Sequence, residues 1–271
     1  MSERGAAGSK HQIAFEAFGV RIAVGASTSE LLDRVRPYLP PGWSSCPAST
    51  VEHRFQLAAE DTGTFAVARD GDSFPGARGL ELDIALELLD SKLRLYIGRK
   101  APNAIFIHAG AVAHGGRAIV MPGMSFVGKT TLVAALVRLG ATYYSDEFAV
   151  LDEQGLVHPY AKPLSIRGNG WAQTDHSVDS LGGIAGEEPL PAGAIVVTSF
   201  RPKAEWRPRR LSAGEGALAL LGNAVPAQER PAEVMRATSR AAKEAIVIES
   251  ERGDADEVAP LLLAELERLA A

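Results

Sequence analysis

Ala118-Ile119-Val120-Met121-Pro122-Gly123-Met124-Ser125-Phe126-Val127-Gly128-Lys129-Thr130-Thr131 is the stretch on which the reading of this chain turns. Gly123 and Gly128-Lys129-Thr130 have the spacing G-x-x-x-x-G-K-[ST]. An apolar strand, Ala118–Met121, leads in, and an amphipathic helix, Lys129–Leu139, leads out, which is the setting a phosphate-binding loop requires. Backbone N–H groups of such a loop and the helix N-terminus hold phosphate oxygens, the Lys129 ammonium reaches the β- and γ-phosphates, and the Thr130 hydroxyl ligates Mg²⁺. Gly123, Met124, Ser125, Phe126, Val127, Gly128, Lys129, Thr130 and Thr131 are therefore the expected nucleotide-binding residues. The expected ligands are ATP (GTP fits the same motif) and Mg²⁺.

Working outward, Ala104–Val112 and Arg117–Met121 read as a hairpin around Ala113-His114-Gly115-Gly116, its second strand feeding the loop. His108 stands in the otherwise apolar first strand. It is either a satisfied core histidine or, if that strand runs beside the loop strand, a partner for a nearby carboxylate. Downstream, Leu132, Val133, Leu136 and Leu139 give the helix its apolar face, and Gly140 is placed to cap it. Thr142–Ser145 reads as the next strand, and Asp146-Glu147 stands at its end. An acid at the end of a strand neighbouring the loop serves Mg²⁺ or its water shell in P-loop folds. Adjacent residues on a regular strand point to opposite faces, so one carboxylate can serve the metal while the other faces an acceptor. Lys162-Pro163-Leu164-Ser165-Ile166-Arg167-Gly168 brings a basic residue before a Gly-rich segment. Arg167 there is either a charge for a transferring phosphoryl group or a surface arginine.

Of the 271 residues, 46% are hydrophobic and 23% charged, as in ordinary globular proteins, and the net charge of −5 gives no reason to expect nucleic acid as a partner. The lone Cys46 has no metal-like neighbours in the sequence and reads as a small core residue. No apolar run is long enough to span a membrane, and Met1–Lys10 lacks the apolar core of a signal peptide. We expect a disordered segment over 1–10 and a cytoplasmic location.

Residues 11–100 read as a small β-rich N-terminal subdomain with a bridging helix. Its expected strands are Ile13–Phe18, Val20–Val24, His53–Leu57 and Thr64–Arg69, with a tight turn at Asp70-Gly71-Asp72. Ser29–Tyr38 is a short helix, and Leu80–Arg94 places Leu82, Ile84, Ala85, Leu88, Leu89 and Leu93 at helical spacing. Residues 101–271 read as the catalytic domain. Phe148–Leu151 and Leu156–Pro159 form a second hairpin, and Ala194–Phe200 is a buried strand. Gly214–Asn223, Pro231–Glu244 and Glu257–Leu269 are helices, with Ala245–Glu249 a late strand. Gly168–Ala192, without periodicity, is expected to be a mobile or disordered insert. Arg201, Lys203, Arg207, Arg209 and Arg210 surround Trp206 as a solvated loop or a surface for an acidic partner.

The order His108, Gly123–Thr130, Asp146-Glu147, Ile166-Arg167-Gly168 resembles the HPr serine kinase family, whose catalytic domain is related to phosphoenolpyruvate carboxykinase. The resemblance covers about residues 104–168. It implies an α/β fold with a P-loop carboxykinase-like core of mixed sheet and helices, and transfer of the ATP γ-phosphate to a serine hydroxyl. It also implies the roles. His108 takes the family's active-site histidine position, Lys129 contacts the β/γ-phosphates and Thr130 binds Mg²⁺. Asp146 is the base and Glu147 the metal ligand or histidine partner, or the two are exchanged, and Arg167 lies in the family's Arg-Gly segment. Ser165 replaces a metal-binding Glu of the family, Gly168-Asn169-Gly170-Trp171 does not continue its signature, and the N-terminal region differs. These departures weigh against HPr as the acceptor. The chain looks more like the stand-alone relatives of lasso-peptide biosynthesis, which implies a precursor peptide or small protein carrying an acceptor Ser as partner. Homo-oligomerisation stays open, as do a nucleotide-binding regulatory protein with little turnover and a small-molecule kinase.

Overall fold

The computed structural model describes residues 11–70, 76–124, 127–167 and 173–270, with the backbone alone at 166–167, 173–175 and 270. The expected disordered start, the Gly71-Asp72 part of the turn, Ser125, Phe126 and Gly168–Ala172 lie outside this description. The chain divides into two compact units, Met1–Pro102 and Asn103–Ala271.

In the first unit, β1 (His11–Ala17) and β2 (Val20–Ala26) form a hairpin, followed by α1 (Ser29–Val35), β3 (Ser44–Ser45), β4 (His53–Ala59), β5 (Phe65–Arg69), β6 (Ala77–Leu80) and α2 (Leu82–Lys100). The six strands form one sheet in the order β3-β1-β2-β4-β5-β6, all antiparallel except β2 with β4. Thr28 caps α1 by accepting the N–H of Leu31 at 3.2 Å. The apolar stripe of α2 is Ala85, Leu86, Leu89, Leu93, Tyr96 and Ile97, burying against β4 and β5. It is turned from the sequence expectation, since Ile84 is 52% exposed. The stripe runs a full turn further, to Ile97, because Tyr96 finds aromatic partners in His53 and Phe55, with ring centroids 4.7 and 5.7 Å away.

The second unit is a mixed α/β domain. Its elements are β7 (Ile105–His114), β8 (Arg117–Pro122), α3 (Lys129–Arg138), β9 (Thr142–Ser145), β10 (Phe148–Leu151), β11 (Leu156–His158), β12 (Leu164–Arg167), β13 (Gln173–His176), β14 (Leu190–Phe200), β15 (Arg209–Arg210), α4 (Ala213–Leu221), α5 (Pro231–Lys243), β16 (Ile246–Arg252) and α6 (Ala255–Ala270). The main sheet runs β11-β10-β7-β8-β14-β16-β15, with β9 also paired to β7 and β11 also to the start of β14. Strand β14 is parallel to both β8 and β16, so three strand ends come out together beside the phosphate loop.

Strand alternation sorts the core into two layers. Ile105, Ile107, Ala109, Ala111 and Ala113 of β7 bury against one face with Ala217 and Leu220 of α4 and Val234, Ala237 and Ala241 of α5. Val112, with Ile119 and Met121 of β8, buries on the other face with Leu132, Val133 and Leu136 of α3 and Ala259, Leu262 and Leu266 of α6. Each fully buried Leu in these layers contributes on the order of 2 kcal/mol. The 168–192 segment is not structureless where it is described. Gln173–His176 pairs with β12, Gly183 donates to the Val178 carbonyl at 3.1 Å, and Gly186 to the Tyr143 carbonyl at 2.7 Å. Backbone hydrogen bonding to β9 and β12, which has no side-chain period, holds it.

Candidate active site

The site is built on one row across the sheet. In the β7–β8 ladder Gly110 lies opposite Met121, and Ala109 opposite Pro122, immediately before Gly123. On the other side of β7, Ala111 lies opposite Ser145 and His108 opposite Phe148. These two pairs share one register, which carries through the break between β9 and β10 and puts Asp146 opposite Gly110 and Glu147 opposite Ala109. The Ala109 N–H, 3.1 Å from the Glu147 carbonyl, keeps the ladder closed there. Ser145 Oγ accepts the N–H groups of Glu147 and Phe148 at 3.1 and 2.9 Å and holds the excursion in shape.

The two acids stand in the bend between β9 and β10. Asp146 faces the α3 side, where Lys129 and Thr130 act on it. His108 shares Asp146's face; its ring sits 4.8 Å from that of Phe148, tilted by 37°, and its carbonyl accepts the N–H of Gly123 at 3.0 Å.

Gly110 makes the row possible. A Cβ there would stand 2.7 Å from Val133 Cγ2 and 3.7 Å from Lys129 Cβ. Only a glycine lets the first turn of α3 descend onto the sheet. That descent brings the loop to the acid: Thr130 and Lys129 both act to hold the Asp146 carboxyl down. The Tyr143 hydroxyl lies 2.9 Å from Asp146 Oδ1 and 2.9 Å from the Lys162 carbonyl. Burial pushes the Asp146 carboxyl up from its ordinary value, against the pull of Thr130, Tyr143 and Lys129. Burial pulls the Lys129 ammonium down, opposed by Asp146, and Lys129 Nζ donates to the Met124 carbonyl of its own loop at 2.8 Å. Tyr143 is raised, first by burial and then by the neighbouring charge of Asp146.

The loop itself ends in a left-handed residue: Gly128, at φ +84°, is the N-cap of α3. Its carbonyl accepts the first helical bond from Leu132 at 3.2 Å and a second from Arg252 Nη2 at 2.6 Å. The Val127 carbonyl accepts the N–H of Phe200 at 3.2 Å. The ends of β14 and β16 thus clasp the exit of the loop.

No family model matches this sequence, and no curated protein does. Among solved structures, the HPr(Ser) kinase/phosphatase of Coxiella burnetii aligns over 61% of this chain and 99% of its own at 14% identity, with a TM-score of 0.35.

Of the residues expected from the motif, Lys129, Thr130 and Asp146 meet on the α3 side of β7, with His108 on the same face. The side chain of Arg167 lies outside the described residues; its backbone is in β12, where Ser165 pairs with Asp175. In the basic cluster Arg201 pairs with Glu251, Arg207 with Glu205 and Arg209 with Glu249, all at the surface. His114 and His158 lie against Glu267 and Asp152. Three site residues were not anticipated: Gly110, Tyr143 and Arg252. Gly110 had a signal, a glycine inside a strand, which marks close approach of another element.

Among the described residues, no three His, Cys, Asp or Glu side chains gather as a metal cage. Mg²⁺ needs none, because one or two protein oxygens, nucleotide phosphates and water complete its shell. A hydroxyl and a buried carboxyl brought together at a helix N-terminus suit that donor set. No helix among the described residues is long and apolar enough to cross a membrane.

Proposed function

We propose that this chain transfers the γ-phosphate of Mg·ATP to a serine hydroxyl of a peptide or small protein. The observation that carries the reading is the convergence of Lys129, Thr130 and Tyr143 on the Asp146 carboxyl, with the Tyr143 hydroxyl 2.9 Å from Oδ1. A carboxyl held there, beside the helix that opens a G-x-x-x-x-G-K-T loop, is placed to accept the proton of an acceptor hydroxyl. Thr130 would serve Mg²⁺ when nucleotide binds.

The transition state of phosphoryl transfer is loose, so the protein mainly aligns and neutralises charge. Lys129 exchanges the Met124 carbonyl for the β/γ-phosphates. The loop N–H groups and the α3 N-terminus take up phosphate oxygens. Bound Mg²⁺ supplies neutralisation of the β/γ charge, with Thr130 as its protein ligand. Asp146 accepts the hydroxyl proton, and its raised affinity for protons suits a base acting near neutral pH. Tyr143 keeps the carboxyl oriented. Glu147 is assigned no proton transfer here. The acceptor class suggested by the family resemblance in the sequence is a lasso-peptide precursor, in natural-product maturation in the cytoplasm.

The test is labelled ATP with Mg²⁺ and serine-containing precursor peptides. Wild-type protein should yield phosphoserine peptide. Asp146→Asn should lower transfer by ~10²–10⁴-fold with nucleotide affinity kept. Loss of transfer in Glu147→Gln and not in Asp146→Asn would exchange the two roles. Tight nucleotide binding with no phosphopeptide from any acceptor would favour a regulatory nucleotide-binding protein.

A further inference from the structure

Arg252 closes β16 with its side chain 1% exposed. Among the described residues no carboxylate pairs with it. Its hydrogen bonds go to two main-chain carbonyls, Gly128 at 2.6 Å and Gly253 at 2.9 Å. Its Nε is buried with no partner, and its Cζ lies 5.6 Å from the centroid of the Phe200 ring. A guanidinium stays charged at any ordinary pH, and a buried charge without a counter-charge is costly to the fold. Asp254 partly offsets this charge without forming an ion pair with it. A fold that bears this cost against the carbonyl of a phosphate loop places an incompletely matched positive charge beside the expected seat of an anion.

We propose that Arg252 is a positioning residue of the triphosphate site. It draws charge toward the Gly128 carbonyl, which strengthens the Lys129 N–H of the same peptide as a donor to phosphate. Its own charge, partly offset by Asp254, is balanced more fully when nucleotide phosphates arrive. The inference rests on the nucleotide reading of the loop, and it adds a device acting from the carbonyl side, 124 residues away in sequence. The Gly128 carbonyl keeps its Leu132 bond without Arg252, whereas the Gly253 carbonyl loses its guanidinium donor, so stability is read separately from affinity.

The test is calorimetric titration of AMP, ADP and ATP with Mg²⁺ into wild type, Arg252→Lys and Arg252→Met, with melting curves of each free protein. Arg252→Met should bind ATP about tenfold more weakly, ADP less so and AMP unchanged. Arg252→Lys should recover most of the ATP affinity. A lower melting temperature with unchanged ATP affinity, or equal loss for all three nucleotides, overturns the proposal and leaves Arg252 a packing residue. If Arg252→Met does not fold, Arg252→Gln, which retains a donor for Gly128, takes its place under the same criteria. A wild type that binds no nucleotide overturns the loop reading and this inference with it. A wild type that binds, beside a variant that binds equally well, overturns this inference alone.

Discussion

Thr130, at the start of α3, lies close enough to Asp146, in the break between β9 and β10, to hold its carboxyl's proton affinity down. That approach links the helix to the sheet at the site. Replacing the hydroxyl separates the parts. Thr130→Ala should lower Mg²⁺-dependent transfer by about 10²-fold, and Thr130→Ser should restore most of it. Equal activity in the Ala variant, measured with labelled ATP over a Mg²⁺ series, would sink the assignment of Thr130 to the metal.

The raised Asp146 carboxyl has a consequence for stability. Its proton is held to higher pH in the folded state than in the unfolded chain, mainly because of burial. Charging it therefore costs the fold. The cost is absent below the unfolded value, about pH 4, and is complete above the raised folded value. Asp146→Asn should melt ~2–4 °C higher than wild type at neutral pH without nucleotide, with the gap closing toward pH 4. Melting curves across pH check this; a variant that melts lower at neutral pH contradicts it.

Tyr143 donates to this carboxyl or to the Lys162 carbonyl. Its removal withdraws one of the groups that hold the Asp146 proton affinity down. Tyr143→Phe should thus move the acid limb of the transfer rate profile to higher pH, while costing about 1 kcal/mol of stability. A profile unchanged in position would show that Asp146 does not govern that limb.

Gly110 and Gly128 are tight for different reasons. Gly128 combines a left-handed φ of +84° with a Cβ position 2.4 Å from Arg252 Nη2. Gly110 has an ordinary backbone and a Cβ position 2.7 Å from Val133 Cγ2. Gly128→Ala should cost ~1–2 kcal/mol from backbone strain alone and weaken nucleotide binding with it. Gly110→Ala should lift α3 and cut the Lys129 and Thr130 contacts while leaving the loop conformation intact. Paired melting and nucleotide titrations separate the two cases; full nucleotide affinity in both variants would contradict this account.

Local pattern made much of this fold legible. The β7–β8 hairpin, the loop, α3 with Gly140 behind it, and β9 to β11 all follow from alternation, helical spacing and turn glycines. The Gly140 N–H bond to Val137 at 2.9 Å and the Ala141 N–H bond to Leu136 at 3.1 Å complete the expected helix stop. What stayed hidden depends on strand order. Nothing local says that β14 inserts between β8 and β16, so nothing local brings Phe200 and Arg252 to the loop. An arginine ending an amphipathic strand looks like solvent-facing charge until the neighbouring strands are known. The 176–190 segment was hidden for a related reason, since main-chain bonds to Tyr143 hold it and leave no trace in side-chain pattern.

The unbroken register from Ser145 to Phe148 makes the sheet a ruler with a two-residue division. Lengthening the turn at Asp152–Gly155 leaves the acids where they are. A single insertion or deletion between Ser145 and Phe148 moves the acids off their place opposite Gly110, whereas the stretch just before Ser145 already takes up one extra residue. Such a site tolerates drift in its surroundings and is brittle to changes of length. Across related sequences, indels should be excluded from this interval and free to accumulate just beyond it.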